Sequence, residues 1–153
     1  MATERNRPYS AFNYLVDLGG GDGTDSVRAG FQEVSGLSVE ITMQEYRAGN
    51  DRLRNAPIKV AGLYKVPDVS LKRGVIGATD LTEWLDQARR GDPAALREEV
   101  TIELRSEDHE TTVMTWRLRN VQPMKYTGPT LSGAAAEVGI EELMLSVEEI
   151  VFE

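Results

Sequence analysis

The chain has 153 residues, no cysteine and a formal net charge of −8. That length suits one domain, which buries roughly 68–70% of its unfolded surface. The missing cysteines exclude disulfides and thiolate chemistry, and the acidic balance argues against specific nucleic-acid binding, which needs a basic surface.

The first residues, Met1 to Pro8, lack the apolar stretch of a signal peptide. No apolar run approaches the ~18 residues that span a bilayer. These features predict synthesis and assembly in the cytoplasm with no membrane span.

Phe12, Tyr14, Val16 and Leu18 alternate with polar residues and predict a strand over 11–18. Gly19-Gly20-Gly21-Asp22-Gly23 ends it. A second strand is expected near 26–34, with a kink at Ser35-Gly36. A longer strand follows, with Leu37, Val39, Ile41 and Met43 on one phase and Ser38, Glu40, Thr42 and Gln44 on the other.

Residues 47–66 show no clean period and contain Gly49, Asn50, Asn55, Pro57 and Gly62. The expectation is a long loop, a feature usually tied to function. A strand over 68–73 ends at Gly74. One helix is predicted over 81–90, with Asp80 as N-cap and Glu83 completing a capping box. Leu81, Trp84, Leu85 and Ala88 form its apolar stripe, while Glu83, Asp86, Gln87 and Arg90 face outward.

Val100, Ile102 and Leu104 mark the next strand. A polar turn at Ser106–Glu110 leads into a strand from 112, where Met114, Trp116 and Leu118 alternate with Thr115, Arg117 and Arg119. Proline lacks the donor a ladder needs, so this strand is expected to break at Gln122-Pro123. Segment 138–152 is β-rich, with a phase shift between Ile140 and Leu143 that predicts a bulge or burial on both faces. The sum is a mainly β, antiparallel sandwich or barrel-like domain over 1–153 with one outer helix.

Catalytic patterns are weak. Gly20 to Arg28 fits a calcium-binding nonapeptide, but in one copy, whereas a β-roll shares each ion between stacked turns. His109 lies in a charged turn. Glu141-Glu142 and Glu148-Glu149 are strand neighbours that point to opposite faces, so neither pair flanks one bond. No cofactor is implied, and no enzyme motif is present. Trp84 and Trp116 fall on core phases. Tyr46 falls on the polar phase of its strand, which suits an interface.

Charge is uneven. Arg47, Arg52, Arg54 and Lys59 cluster against one acid, Asp51, whereas residues 137–153 hold Glu137, Glu141, Glu142, Glu148, Glu149 and Glu153 without a base. Two solvated faces explain this simply. Two complementary contact surfaces on neighbouring copies explain it as well.

Six segments, in order, resemble the tail-tube proteins of contractile phage tails and related injection systems. They are Pro8-Tyr9 to Phe12-Asn13-Tyr14; Gly30 to Leu37; Glu45-Tyr46-Arg47-Ala48-Gly49; Leu71-Lys72-Arg73-Gly74 with Asp80-Leu81 and Trp84; Trp116 with Asn120 and Pro123; and Lys125-Tyr126 with Gly128-Pro129. The stretches at 19–21 and 91–98 do not fit that pattern. The resemblance implies a structural protomer, not an enzyme, whose homo-hexameric rings stack into a hollow tube. It implies a surrounding sheath, baseplate and terminator proteins at the ends, and DNA or a protein effector in the lumen. The 47–66 segment would bridge rings, with Tyr46, Arg47, Arg52, Arg54, Lys59, Glu148 and Glu149 as the expected interface. The finished particle, a phage tail or an injection system, is then found outside the cell in some forms. The competing reading is a monomeric β-sandwich that binds a sugar or peptide through the same segment.

Overall fold

The computed structural model describes residues 2–19, 30–50, 52–53, 55–134 and 136–153. The calcium-like motif at 20–28, Arg54 and the first four residues of the second expected strand, 26–29, lie outside these. Nine strands and one α-helix are described. They run β1 (Tyr14–Asp17), β2 (Glu33–Ser35), β3 (Glu40–Tyr46), β4 (Ile58–Lys65), β5 (Val69–Gly74), α1 (Asp80–Arg89), a 3-10 turn (Pro93–Ala95), β6 (Arg97–Arg105), β7 (Thr112–Thr127), β8 (Ile140–Ser146) and β9 (Glu149–Phe152).

Seven strands form one antiparallel sheet in the order β1-β6-β7-β8-β5-β2, with β9 also on β7. β3 and β4 form a separate two-stranded sheet. β7 is the seam of the body. Its first part pairs with β6 and β9, and its last part pairs with β8. Both halves feed one core, with Val16, Val100, Ile102, Leu118 and Ile150 from one and Val69, Leu71, Leu143 and Leu145 from the other.

β7 does not break at Pro123. Its pairing with β6 ends at Val121, opposite Arg97, so beyond that point β7 has only β8 beside it. A register shift between Pro123 and Lys125 places a bulge there. Prolines are tolerated at edges and bulges, and this one sits at both. Just before it, Asn120 adopts a left-handed φ of 54°, and its side-chain amide donates to Glu148 at the corner between β8 and β9 (2.9 Å). Early in β7 the expected outward phase is also covered, since Val113 and Thr115 are buried beside Leu118.

The phase shift expected in 140–143 is absent. β8 alternates regularly, with Glu141, Leu143 and Leu145 all inward. Glu141 simply occupies a core position, and the bulge lies on the partner strand.

The helix also starts differently from the expectation. Its cap is Thr79, which offers no side-chain capping bond to the backbone. Thr79 Oγ1 instead bonds Glu83 Oε1 (2.7 Å). Asp80, expected to cap, points its carboxylate at Arg73. Trp84 is buried, donates to the carbonyl of Ala95 (2.7 Å) and carries the Arg97 guanidinium 3.9 Å from its ring. The 91–98 stretch thus folds back under the helix.

Gly36 makes the expected kink. Its φ is +85°, and a Cβ there would fall 2.2 Å from the carbonyl oxygen of Asp68. Only glycine fits this turn.

Candidate assembly surface

The body pairs its two buried charged residues, Arg73 and Glu141, with each other. Arg73 is 1% exposed and ends the buried phase of β5 after Val69 and Leu71. Its Nε donates to Glu141 Oε1 (2.6 Å), while Nη2 and Nη1 donate to the two Asp80 oxygens (2.5 and 3.2 Å). Tyr126 completes the set by donating to Glu141 Oε2 (2.7 Å). One planar guanidinium thereby ties β5, β8 and α1 together, and Tyr126 adds β7. Burial alone would raise the Asp80 pKa, but the bonds and charge of Arg73 outweigh it and hold the carboxyl below its ordinary value. The sequence signal for this network was phase. Arg73 and Glu141 share strand phases with Val69, Leu71, Leu143 and Leu145.

The β3–β4 hairpin is the opposite case. Every residue of both strands is exposed. The segment expected to be a structureless loop over 47–66 therefore contains a strand, Ile58–Lys65. Its period was hidden by a bulge. Ile41 pairs with Tyr64, but two residues on, Met43 pairs with Ala61, so β4 carries one extra residue. Such an insertion flips the phase of everything beyond it. Val60 and Ile58 consequently share a face with Tyr46, while Tyr64 shares the other with Ile41 and Met43. Leu63 stands at the bulge, 82% exposed. Gly62 allows the close approach, since a Cβ would lie 2.7 Å from the Thr42 carbonyl oxygen.

A two-stranded hairpin with no sheet behind it is marginal in water. This one touches the body where the Ile150 amide donates to the Tyr64 hydroxyl (3.4 Å). Apolar side chains exposed together on such an element mark a contact surface.

The interface residues expected from sequence fall into two groups. Tyr46 ends β3 and pairs across with Ile58; Arg47 and Arg52 lie in the connecting turn; Lys59 sits opposite Glu45 on β4. Glu148 and Glu149 lie instead at the β8–β9 corner of the body, Glu148 holding Asn120 and Glu149 opposite Arg119. Within the chain the two groups are not brought together by any ion pair involving Arg52 or Lys59, among the described residues. Sequence reasoning missed Ile58, Val60 and Leu63 on the hairpin.

No group of three or more His, Cys, Asp or Glu side chains is placed to hold a metal ion among the described residues. His109 sits exposed in the β6–β7 turn with φ 62°. Among the described residues, no helix is long and apolar enough to cross a membrane.

Comparison with known proteins agrees with this picture. The family described as T4-like virus tail tube protein gp19 matches residues 10–151. A chain in the cryo-EM structure of the anti-feeding prophage baseplate, six-fold symmetrised, superposes with a TM-score of 0.80 at 24% identity, covering 97% of this chain and 97% of that one. A chain of the anti-feeding prophage tube-terminating cap gives 0.78 at 21% identity, covering 100% and 95%. A chain of the sheath–tube complex of an extracellular contractile injection system, PVC, in its extended state gives 0.76 at 22% identity, covering 97% and 93%. No curated protein matches by sequence alone. With almost its whole length matched, this chain belongs to the T4-like virus tail tube protein gp19 family, a family of structural tube proteins and not of enzymes.

Proposed function

We propose that six copies close into a ring, that rings stack into a hollow tube, and that the β3–β4 hairpin is the element that reaches from one copy to another. The observation that carries this reading is the hairpin itself, apolar on both faces and exposed at every position. Head-to-tail contacts that close make rings, and stacking extends them. The body offers strand edges for lateral contact at β1, β2 and β9. An exposed edge is a pairing template, and a closed ring removes it.

In this reading Tyr46, Ile58 and Val60 supply the apolar contact. Arg47, Arg52 and Lys59 meet the acidic corner at Glu148 and Glu149 on a neighbour, which fixes register and speeds encounter. A sheath surrounds the tube, a baseplate nucleates it, a cap ends it, and DNA or a protein effector passes through the lumen. The solved relatives support these partners, since they sit in sheath–tube, baseplate and cap assemblies. The particle is assembled in the cytoplasm.

Negative-stain electron microscopy across a concentration series tests the reading. Wild-type protein forms rings or hollow filaments, given a baseplate partner where spontaneous nucleation is slow. The triple variant Arg47→Glu, Arg52→Glu, Lys59→Glu stays folded and forms none. Tubes from that variant would remove the hairpin charges from the interface. Monomers alone from wild type, with a nucleating partner present, would favour the ligand-binding module.

A further inference from the structure

The edge of β7 that carries β9 is not covered by β9 along its whole length. Thr115 and Glu153 exchange two backbone bonds (2.9 Å each), and the ladder of β9 goes no further. One pair beyond, the carbonyl of Val113 accepts instead from the amide of Thr3 (2.9 Å). The N-terminal segment thus extends β9 on the same edge.

That segment is held in an unusual way. Residues 2–8 are all exposed, so apolar burial does not fix them. Nearly every anchor passes through Arg5. Its guanidinium lies 3.7 Å from the Tyr9 ring centroid, donates to Arg7 and Pro8 carbonyls (2.7 Å each), and grips both carboxylate oxygens of Glu107 (2.7 and 3.1 Å). Glu107 sits in the β6–β7 turn and also accepts from the Ser10 amide (3.4 Å). The pairing holds the Glu107 carboxyl down at about 2.

We infer that residues 2–10 are a releasable strap that closes the free stretch of the β7 edge in the lone subunit and delays its pairing with a second copy. The strap rests on the assembly reading above. An edge strand left bare is a template for another chain. A cover buried in the core would be permanent, whereas one gripped at a single exposed point opens by breaking that grip. The partner is therefore a backbone strand of another copy, which competes with Thr3 for Val113.

Two readouts separate the strap from the assembly reading. The first is trypsin cleavage after Arg5, followed by mass on the subunit before assembly; the Arg7–Pro8 bond resists the protease. Glu107→Gln leaves Arg5 in place and removes its charged partner. It is expected to speed that cut roughly tenfold, the scale of one charge-assisted bond, with circular dichroism unchanged. The second readout is the lag before tubes form. Glu107→Gln and Arg5→Ala shorten it, and the swap Arg5→Glu with Glu107→Arg restores it. An unchanged cleavage rate overturns the strap, because the grip then does not hold the segment. Faster cleavage with an unchanged or longer lag overturns the gate, because the uncovered edge then plays no part in pairing. Failure of wild type and variants alike to assemble sinks the assembly reading, and the gate with it, while the cleavage result stands apart.

Discussion

The body around β5 and β8 and the β3–β4 hairpin use the same residue types in opposite settings. In the body, Arg73 is buried and donates three bonds to two carboxylates, Glu141 and Asp80. On the hairpin, Arg52 and Lys59 are exposed, and so are Ile58 and Val60. The body is complete within one chain. The hairpin is exposed at every position of both strands, and it meets the body where the Ile150 amide donates to Tyr64. The two regions therefore answer to different tests, folding for one and assembly for the other.

The largest expected effect breaks the body and spares the hairpin. Arg73→Ala strands Glu141 and Asp80 without their cation in a nearly closed space. Removing one partner of a buried pair costs about 3–5 kcal/mol. Thermal unfolding should show this as a drop in Tm of roughly 10–20 °C or as loss of the folded state. A loss under 1 kcal/mol would mean that water reaches Glu141 and that the network is not closed. Arg73→Lys should also fail to restore stability, since a point charge cannot bridge two carboxylates that need a planar fork.

Much of this body was legible in sequence, and the misses share one cause. The strands at 69–74, 97–105 and from 112 follow alternation, and the helix follows its stripe. Each error arose where one residue broke a local rule for a tertiary reason. Glu141 looked like a phase shift because charges rarely occupy core positions, yet Arg73 and Tyr126 make the position tenable. Asp80 looked like a cap, but Arg73 claimed its carboxylate. Pro123 looked like a terminator, but β6 had already ended there. On the hairpin, one extra residue near Gly62 shifted Ile58 and Val60 out of phase with Tyr64, so a strand read as a loop. The residues proposed for the interface carried a charge signal. Their apolar neighbours carried none until the register was known.

A smaller effect weakens the body by pH. The Asp80 carboxyl titrates below its ordinary 3.8 in the folded protein, because Arg73 outweighs burial. A depressed folded pKa means the unfolded chain takes up the proton first as acid is added. The stabilisation is whole above about 3.8 and fades as pH falls through the lower folded value. Chemical denaturation between pH 6 and pH 2, run with wild type and Asp80→Asn, checks this. The acid-induced loss should shrink in the variant, which starts from lower stability at neutral pH. An equal acid loss in both would assign the effect to other carboxylates, with Glu107 the first to suspect, since Arg5 holds it at about 2.

The smallest effect on folding should be the most telling about assembly. Gly62 lies on the hairpin bulge, where a Cβ would fall 2.7 Å from the backbone oxygen of Thr42. That oxygen belongs to the facing strand and cannot swing aside as a side-chain tip would. Gly62→Val must therefore push β3 and β4 apart or slip their register, and a slip by one residue exchanges the faces. None of this reaches the core, which draws no residue from β3 or β4. Body stability should change by less than ~0.5 kcal/mol, as for substitutions away from buried features. Filament yield, however, should collapse, because Tyr46, Ile58 and Val60 no longer present one face. A variant that kept its stability and still built tubes would show that the hairpin tolerates a shifted register. The contact between copies would then rest on the charged turn and not on the apolar faces.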